Sequence, residues 1–149
     1  MPARNEVKLT IKLTEEQCEG YPVSTETLNF IEEFGHYRLV NIPFFIDHLS
    51  MEDVISVKAI DSELFEIDEI VNRSKNSTIW VTLNDAVAGS QVLNKVHELG
   101  CGYEGGVLKG YYTINVPFSV DIDDVFDLLD EAEEQNILLM DYPSIRQGE

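Results

Sequence analysis

Residues 77–100, STIWVTLNDAVAGSQVLNKVHELG, change period midway, and that change decides how the rest of the chain is read. STIWVTL (77–83) is β-branched and aromatic, so it reads as a strand. AVAGSQVLNKVHELG (86–100) instead sets Val92, Leu93, Val96 and Leu99 on one helical face and stops at Gly100, a residue suited to a helix C-cap. Working downstream, YEGGVLKGYYTINVP predicts a hairpin turning at glycine, with a strand over 111–116. DIDDVFDLLDEAEEQN predicts a helix near 121–135, and ILLMDYP a last strand over 137–142. The order β-α-β-β-α-β is that of a split βαβ, ferredoxin-like sandwich.

Upstream the rhythm is different. EVKLTIKLT alternates Val7, Leu9, Ile11 and Leu13, which predicts a half-buried strand over 6–14. After a polar turn, TETLNFIEEF and HYRLVNI read as two strands joined at Gly35, and VISVKAID (54–61) and LFEIDEIVNR (64–73) as two more. Ser50 and Asp53 have capping-box spacing and suggest one helical turn between these pairs. Five short strands in this length imply a strongly bent sheet or small barrel. The expected fold is therefore α+β: an N-terminal bent β-sheet or barrel (1–75) packed on a C-terminal ferredoxin-like sandwich (76–149). Residues 70–78 are polar but short, so rigid packing is expected rather than a tether, and the two parts could equally form one domain.

Two nine-residue stretches echo each other, HYRLVNIPF at 36–44 and GYYTINVPF at 110–118, with four identical positions and two Val/Ile exchanges. In both, proline ends a β-branched strand by removing a ladder donor. The flanks do not match, which favours a shared way of ending a strand over a duplicated site.

The 149 residues carry 10 basic and 28 acidic side chains, a net charge of −18. Both halves share the excess, which argues against nucleic acid, a polyanion whose binding needs clustered Lys and Arg. Two cysteines, Cys18 and Cys101, are too few for a disulfide framework, and MPARNEVKLTIKL lacks the apolar core of a signal peptide. These features, with no long apolar run, point to a cytoplasmic protein without a membrane span.

Catalytic signatures are missing. GCGYEGG (100–106) resembles a phosphate loop but follows a helix and leads into a hairpin, the wrong context for dinucleotide binding. His36, His48 and His97 are too dispersed for a local metal motif, and no nucleophile elbow is present. The sequence thus leans away from an enzyme and supplies no catalytic, metal or cofactor residues. The acidic helix is more informative. Ile122, Val125, Phe126 and Leu129 form its apolar stripe, while Asp123, Asp124, Asp127, Asp130, Glu131 and Glu134 are expected to face outward, either as a solvated face or as a partner-binding surface. No Lys or Arg lies between Lys109 and Arg146 to relieve their repulsion, which suggests that a basic partner does.

The run NIPFF (41–45), Ser50-x-x-Asp53, Arg73-Ser with Asn76-Ser-Thr78, and GCGYEG (100–105) resembles an uncharacterised bacterial family known only as a domain of unknown function, DUF4265, over roughly residues 25–142. The resemblance implies a bacterial origin and a soluble stand-alone domain, and carries over no catalytic residues. Two readings follow from the residues. In one, the protein is an immunity or inhibitor protein that neutralises a basic partner, such as a cognate toxin, by occluding a cationic cleft. In the other, it is a small-ligand sensor or unrecognised enzyme with Arg73, Asn76, Tyr103 and Glu104 converging on a pocket between the two parts. Oligomeric state is not legible.

Overall fold

The computed structural model describes residues 5–147. The chain divides into two compact units, Met1–Ser74 and Lys75–Glu149.

The first unit contains β1 (Glu6–Lys12), α1 (Glu15–Cys18), β2 (Thr25–Glu33), β3 (His36–Leu39), β4 (Val54–Ala59) and β5 (Phe65–Asn72). Each strand pairs antiparallel with the next, and the set closes into a barrel. Four antiparallel steps, an even number, leave the first and last strands pointing the same way, so the closing pair, Ile11 with Phe65, is parallel. Period-2 alternation aims Leu9, Ile11, Leu28, Phe30, Leu39 and Ile55 inward, all buried. Each contributes about 1.5–3 kcal/mol by leaving water.

Two features here differ from the sequence reading. The polar turn after β1 contains a one-turn helix, started by a complete capping box in which Thr14 and Gln17 exchange hydrogen bonds (2.9 and 3.2 Å). Ser50 and Asp53 do not start a helix. The Asp53 carboxylate accepts from Ser50 N–H (2.9 Å), as a box requires, but it also accepts from Ser74 N–H (2.7 Å). The backbone at Glu52 turns to φ 76°, outside the helical region, so the segment is a turn before β4.

The second unit runs β6 (Ser77–Leu83), α2 (Ala86–Glu98), β7 (Gly102–Gly105), β8 (Tyr111–Val116), α3 (Ile122–Glu134) and β9 (Leu138–Ser144). Its sheet has the order β7-β8-β6-β9 with every neighbouring pair antiparallel. Ile79, Val81, Ile114 and Val116 from the sheet pack with Val92, Leu93 and Val96 of α2 and Val125 and Leu129 of α3 in one core. Both helices therefore bury an apolar stripe on the same core.

The helix ends explain why the two helices stop where they do. Asp85 caps α2 by accepting from Val87 and Ala88 N–H (3.1 and 3.0 Å), and Asp121 caps α3 by accepting from Asp123 N–H (3.0 Å). Both C-termini close in the same way. Gly100 at φ 110° lets its own N–H reach His97 O (2.9 Å) and Cys101 N–H reach Val96 O (3.4 Å). Asn136 at φ 59° does the same with Glu133 O (3.0 Å) and Ile137 with Ala132 O (2.9 Å). Each is a Schellman pair that satisfies two carbonyls the helix itself leaves open.

The two copies of the repeat have different fates. In the first, Asn41 leaves the strand and its Oδ1 accepts from Asn29 N–H, while Phe44 and Phe45 turn inward. The buried Glu26 carboxylate accepts from the N–H groups of Phe44 (2.7 Å) and Phe45 (3.0 Å) and so fixes that turn. In the second, Asn115 stays within β8, its Oδ1 buried without a hydrogen-bond partner, and Phe118 is exposed under the Lys75 ammonium, 4.9 Å from the ring centre. What the copies share is a strand ending before proline, not a surface.

Candidate functional site

Helices α2 and α3 enclose an open groove of about 610 Å³. Lys95, Glu98 and Leu99 line one wall from α2 and its C-cap; Asp124, Asp127, Leu128 and Glu131 line the other from α3. Leu99 is 38% exposed, so it faces this groove rather than completing the buried stripe of α2 as its spacing suggested. The groove thus offers two leucines amid four carboxylates and one ammonium, chemistry suited to a segment presenting both apolar and cationic side chains.

All six acids expected to meet a partner are exposed on α3. Asp124, Asp127 and Glu131 line the groove, whereas Asp123, Asp130 and Glu134 do not. Helical spacing puts Asp123, Asp127, Asp130 and Glu134 in a single outer stripe, with like charges four residues apart at 123/127, 127/131 and 130/134. Acids near Asp121 complement the positive helix N-terminus; Glu131 and Glu134 sit at the wrong end, where the dipole disfavours them. Among the described residues, no α3 carboxylate makes an ion pair. Glu133 differs in having a structural task, accepting from Met140 N–H (3.0 Å). The field of this helix reaches β9: the Tyr142 phenol is pushed up first by burial and then by Asp130, Glu133 and Asp141.

The residues of the alternative pocket lie on different segments of the chain. Tyr103 and Glu104 are adjacent on β7, so they project to opposite faces of the sheet and do not converge. Tyr103 packs on the helix-side core, with its ring centre 6.2 Å from Tyr112 and 6.3 Å from His97. Arg73 belongs to the first unit and Asn76 to the second, just before β6. GCGYEGG is largely β7 itself, followed by a turn through Gly106 at φ 96°.

Cys101 has the wrong surroundings for a nucleophile. The thiol is 1% exposed, and burial pushes it up to about 11, so it stays protonated near neutrality. The nearby His97 places Nδ1 3.1 Å from Cys101 O and serves the helix end. Both cysteines are free thiols. Among the described residues, no three His, Cys, Asp or Glu side chains are placed to hold a metal ion, and no helix is long and apolar enough to cross a membrane.

The fold and groove define an α+β protein of two compact units, with a groove lined by four carboxylates, one ammonium and two leucines. The chain belongs to the family described as Domain of unknown function (DUF4265), whose model matches residues 31–140, from the end of β2 into β9. No curated protein matches it. Among solved structures, it is similar to a hypothetical protein from Neisseria gonorrhoeae, with 20% identity, 98% of each chain covered and a TM-score of 0.78. At that identity the likeness is one of fold.

Proposed function

We propose that this is a cytoplasmic bacterial binding protein of the immunity or inhibitor type, which neutralises a basic partner by laying α3 and the α2–α3 groove against its cationic surface. The observation that carries the reading is the set of six exposed acids on α3, with no ion pair to any of them among the described residues. Repulsion held on a helix without relief weakens the free protein slightly and strengthens a complex that supplies the missing cations. Free thiols support a reducing compartment. The β-α-β-β-α-β order, with both helices packed in one core, supports reading the second unit as ferredoxin-like.

The test is recovery of the partner from the source cell, followed by binding of the purified pair. The expected partner is basic and binds Asp127→Lys/Glu131→Lys/Glu134→Lys at least tenfold more weakly at low salt. An acidic partner, or equal affinity for a folded triple variant, contradicts the proposal.

A further inference from the structure

The β2–β3 hairpin turns on two residues, Phe34 and Gly35, between the paired positions Glu33 and His36. Both turn residues have positive φ, 53° and 82°, the geometry of a tight turn normally filled by Asn-Gly or Gly-Gly. A bulky side chain in this region is an outlier, because its Cβ crowds the adjacent carbonyl. Phe34 is also completely exposed, at 104% of its reference area. A single residue thus bears backbone strain and full exposure of an aromatic ring together, and neither serves the barrel, since the ring touches no core.

The tip that displays it is firmly held. Glu32 N–H donates to Asn5 O (2.9 Å), so β1 supports β2 almost to the turn. Arg38 braces the other side: Nε and Nη2 donate to Glu33 Oε1 (3.1 and 3.0 Å), and Nη1 donates to Glu52 Oε2 (2.7 Å). Such a ring is presented with little ordering left to do on binding, as in the aromatic anchors that dominate protein interfaces.

We propose that Phe34 is an anchor inserted into an apolar pocket of a protein partner whose rim is basic. Among the described residues, the charge around the tip selects this occupant: Glu32, Glu33 and Glu52 outnumber Arg38, an arrangement complementary to Lys and Arg and repelled by anionic lipid. A second copy would bring the same acids and another net charge of −18. The proposal rests on the basic-partner reading but on a different surface and a different physical term. Charge on α3 should govern association, whereas a buried ring should govern dissociation.

The experiment places p-benzoylphenylalanine at position 34, cross-links in the source cell, and measures the identified protein, once purified, against wild type, Phe34→Asn, Phe34→Leu and the α3 triple variant. Phe34→Asn suits the turn and should raise Tm by about 2–4 °C, so a loss of binding cannot be ascribed to unfolding. The expected result is a basic partner that leaves Phe34→Asn at least tenfold faster, with partial rescue by Phe34→Leu and a smaller change in dissociation rate than in association rate for the α3 variant. The anchor is overturned if cross-linking at 34 does not exceed that at exposed Glu63, or if wild type and Phe34→Asn dissociate equally. It is also overturned by Phe34-dependent sedimentation with phosphatidylglycerol vesicles or Phe34-dependent self-association. Equal dissociation from a basic partner removes the anchor alone; an acidic partner removes the basic-partner reading as well.

Discussion

Glu26 shows how one residue can define a loop. Its alternating position in β2 predicts a barrel-side acid that ought to be unfavourable, yet it is buried at 7% exposure because two backbone donors, Phe44 and Phe45 N–H, converge on it. Glu26→Ala would leave both donors without that partner, and we expect a loss of about 2–3 kcal/mol, read as a lower urea midpoint at unchanged slope. Cys101 makes a pH-dependent prediction. Its thiol rises from 9.0 to about 11 on folding, so the folded state holds the proton more tightly. That contribution is complete below pH 9.0 and is lost as pH rises toward 11. Tyr37 and Tyr142 are raised as well, largely by burial, and act in the same direction. Urea midpoints should therefore fall on the alkaline side, and less steeply in Cys101→Ala than in wild type; parallel curves would contradict the assignment. Phe34 shows the limit of reading at this scale. Gly35 was legible as turn punctuation, but only the register Glu33 to His36 reveals that phenylalanine must share the turn.

For single elements, legibility followed the length over which a period persists. Helices α2 and α3, each thirteen residues, were predicted within a residue or two at their ends, because apolar spacing persists through both and Gly100 marks the end of α2. The one-turn α1 was missed, since four residues carry no period. Tyr103 and Glu104 were grouped as side chains beside one hairpin turn; as neighbours on β7 they alternate to opposite faces of the sheet. The caps themselves are testable: Asp121→Ala should cost about 1 kcal/mol by releasing Asp123 N–H, measured by thermal melts. Charge reversal at Asp127, Glu131 and Glu134 should do the opposite. It turns the 123/127 and 130/134 repulsions into attractions and places cations at the helix C-terminus, for a gain of a few tenths of a kcal/mol per pair. A melting temperature below wild type would show that these acids hold the helix rather than burden it.

At the scale of the whole chain, the alternation of β1 through β5 revealed strands but not how they close, because closure rests on one parallel pair between residues 54 positions apart. The family resemblance was legible and is shown over both units. The groove was half legible: its acids follow from composition and helical period, while Leu99, Leu128 and Lys95 join it only through the packing of α2 beside α3. The central claim is that this acidic surface draws in a basic partner over distance. Screening shortens the reach of such charges to about 10 Å at 0.1 M salt, so rate and salt together discriminate steering from contact. The decisive measurement is stopped-flow association of the purified partner with wild type and with Asp127→Lys/Glu131→Lys/Glu134→Lys at two salt concentrations. The account predicts a wild-type on-rate that falls steeply with salt and a folded variant that associates slowly with little salt dependence; equal on-rates at low salt would contradict it.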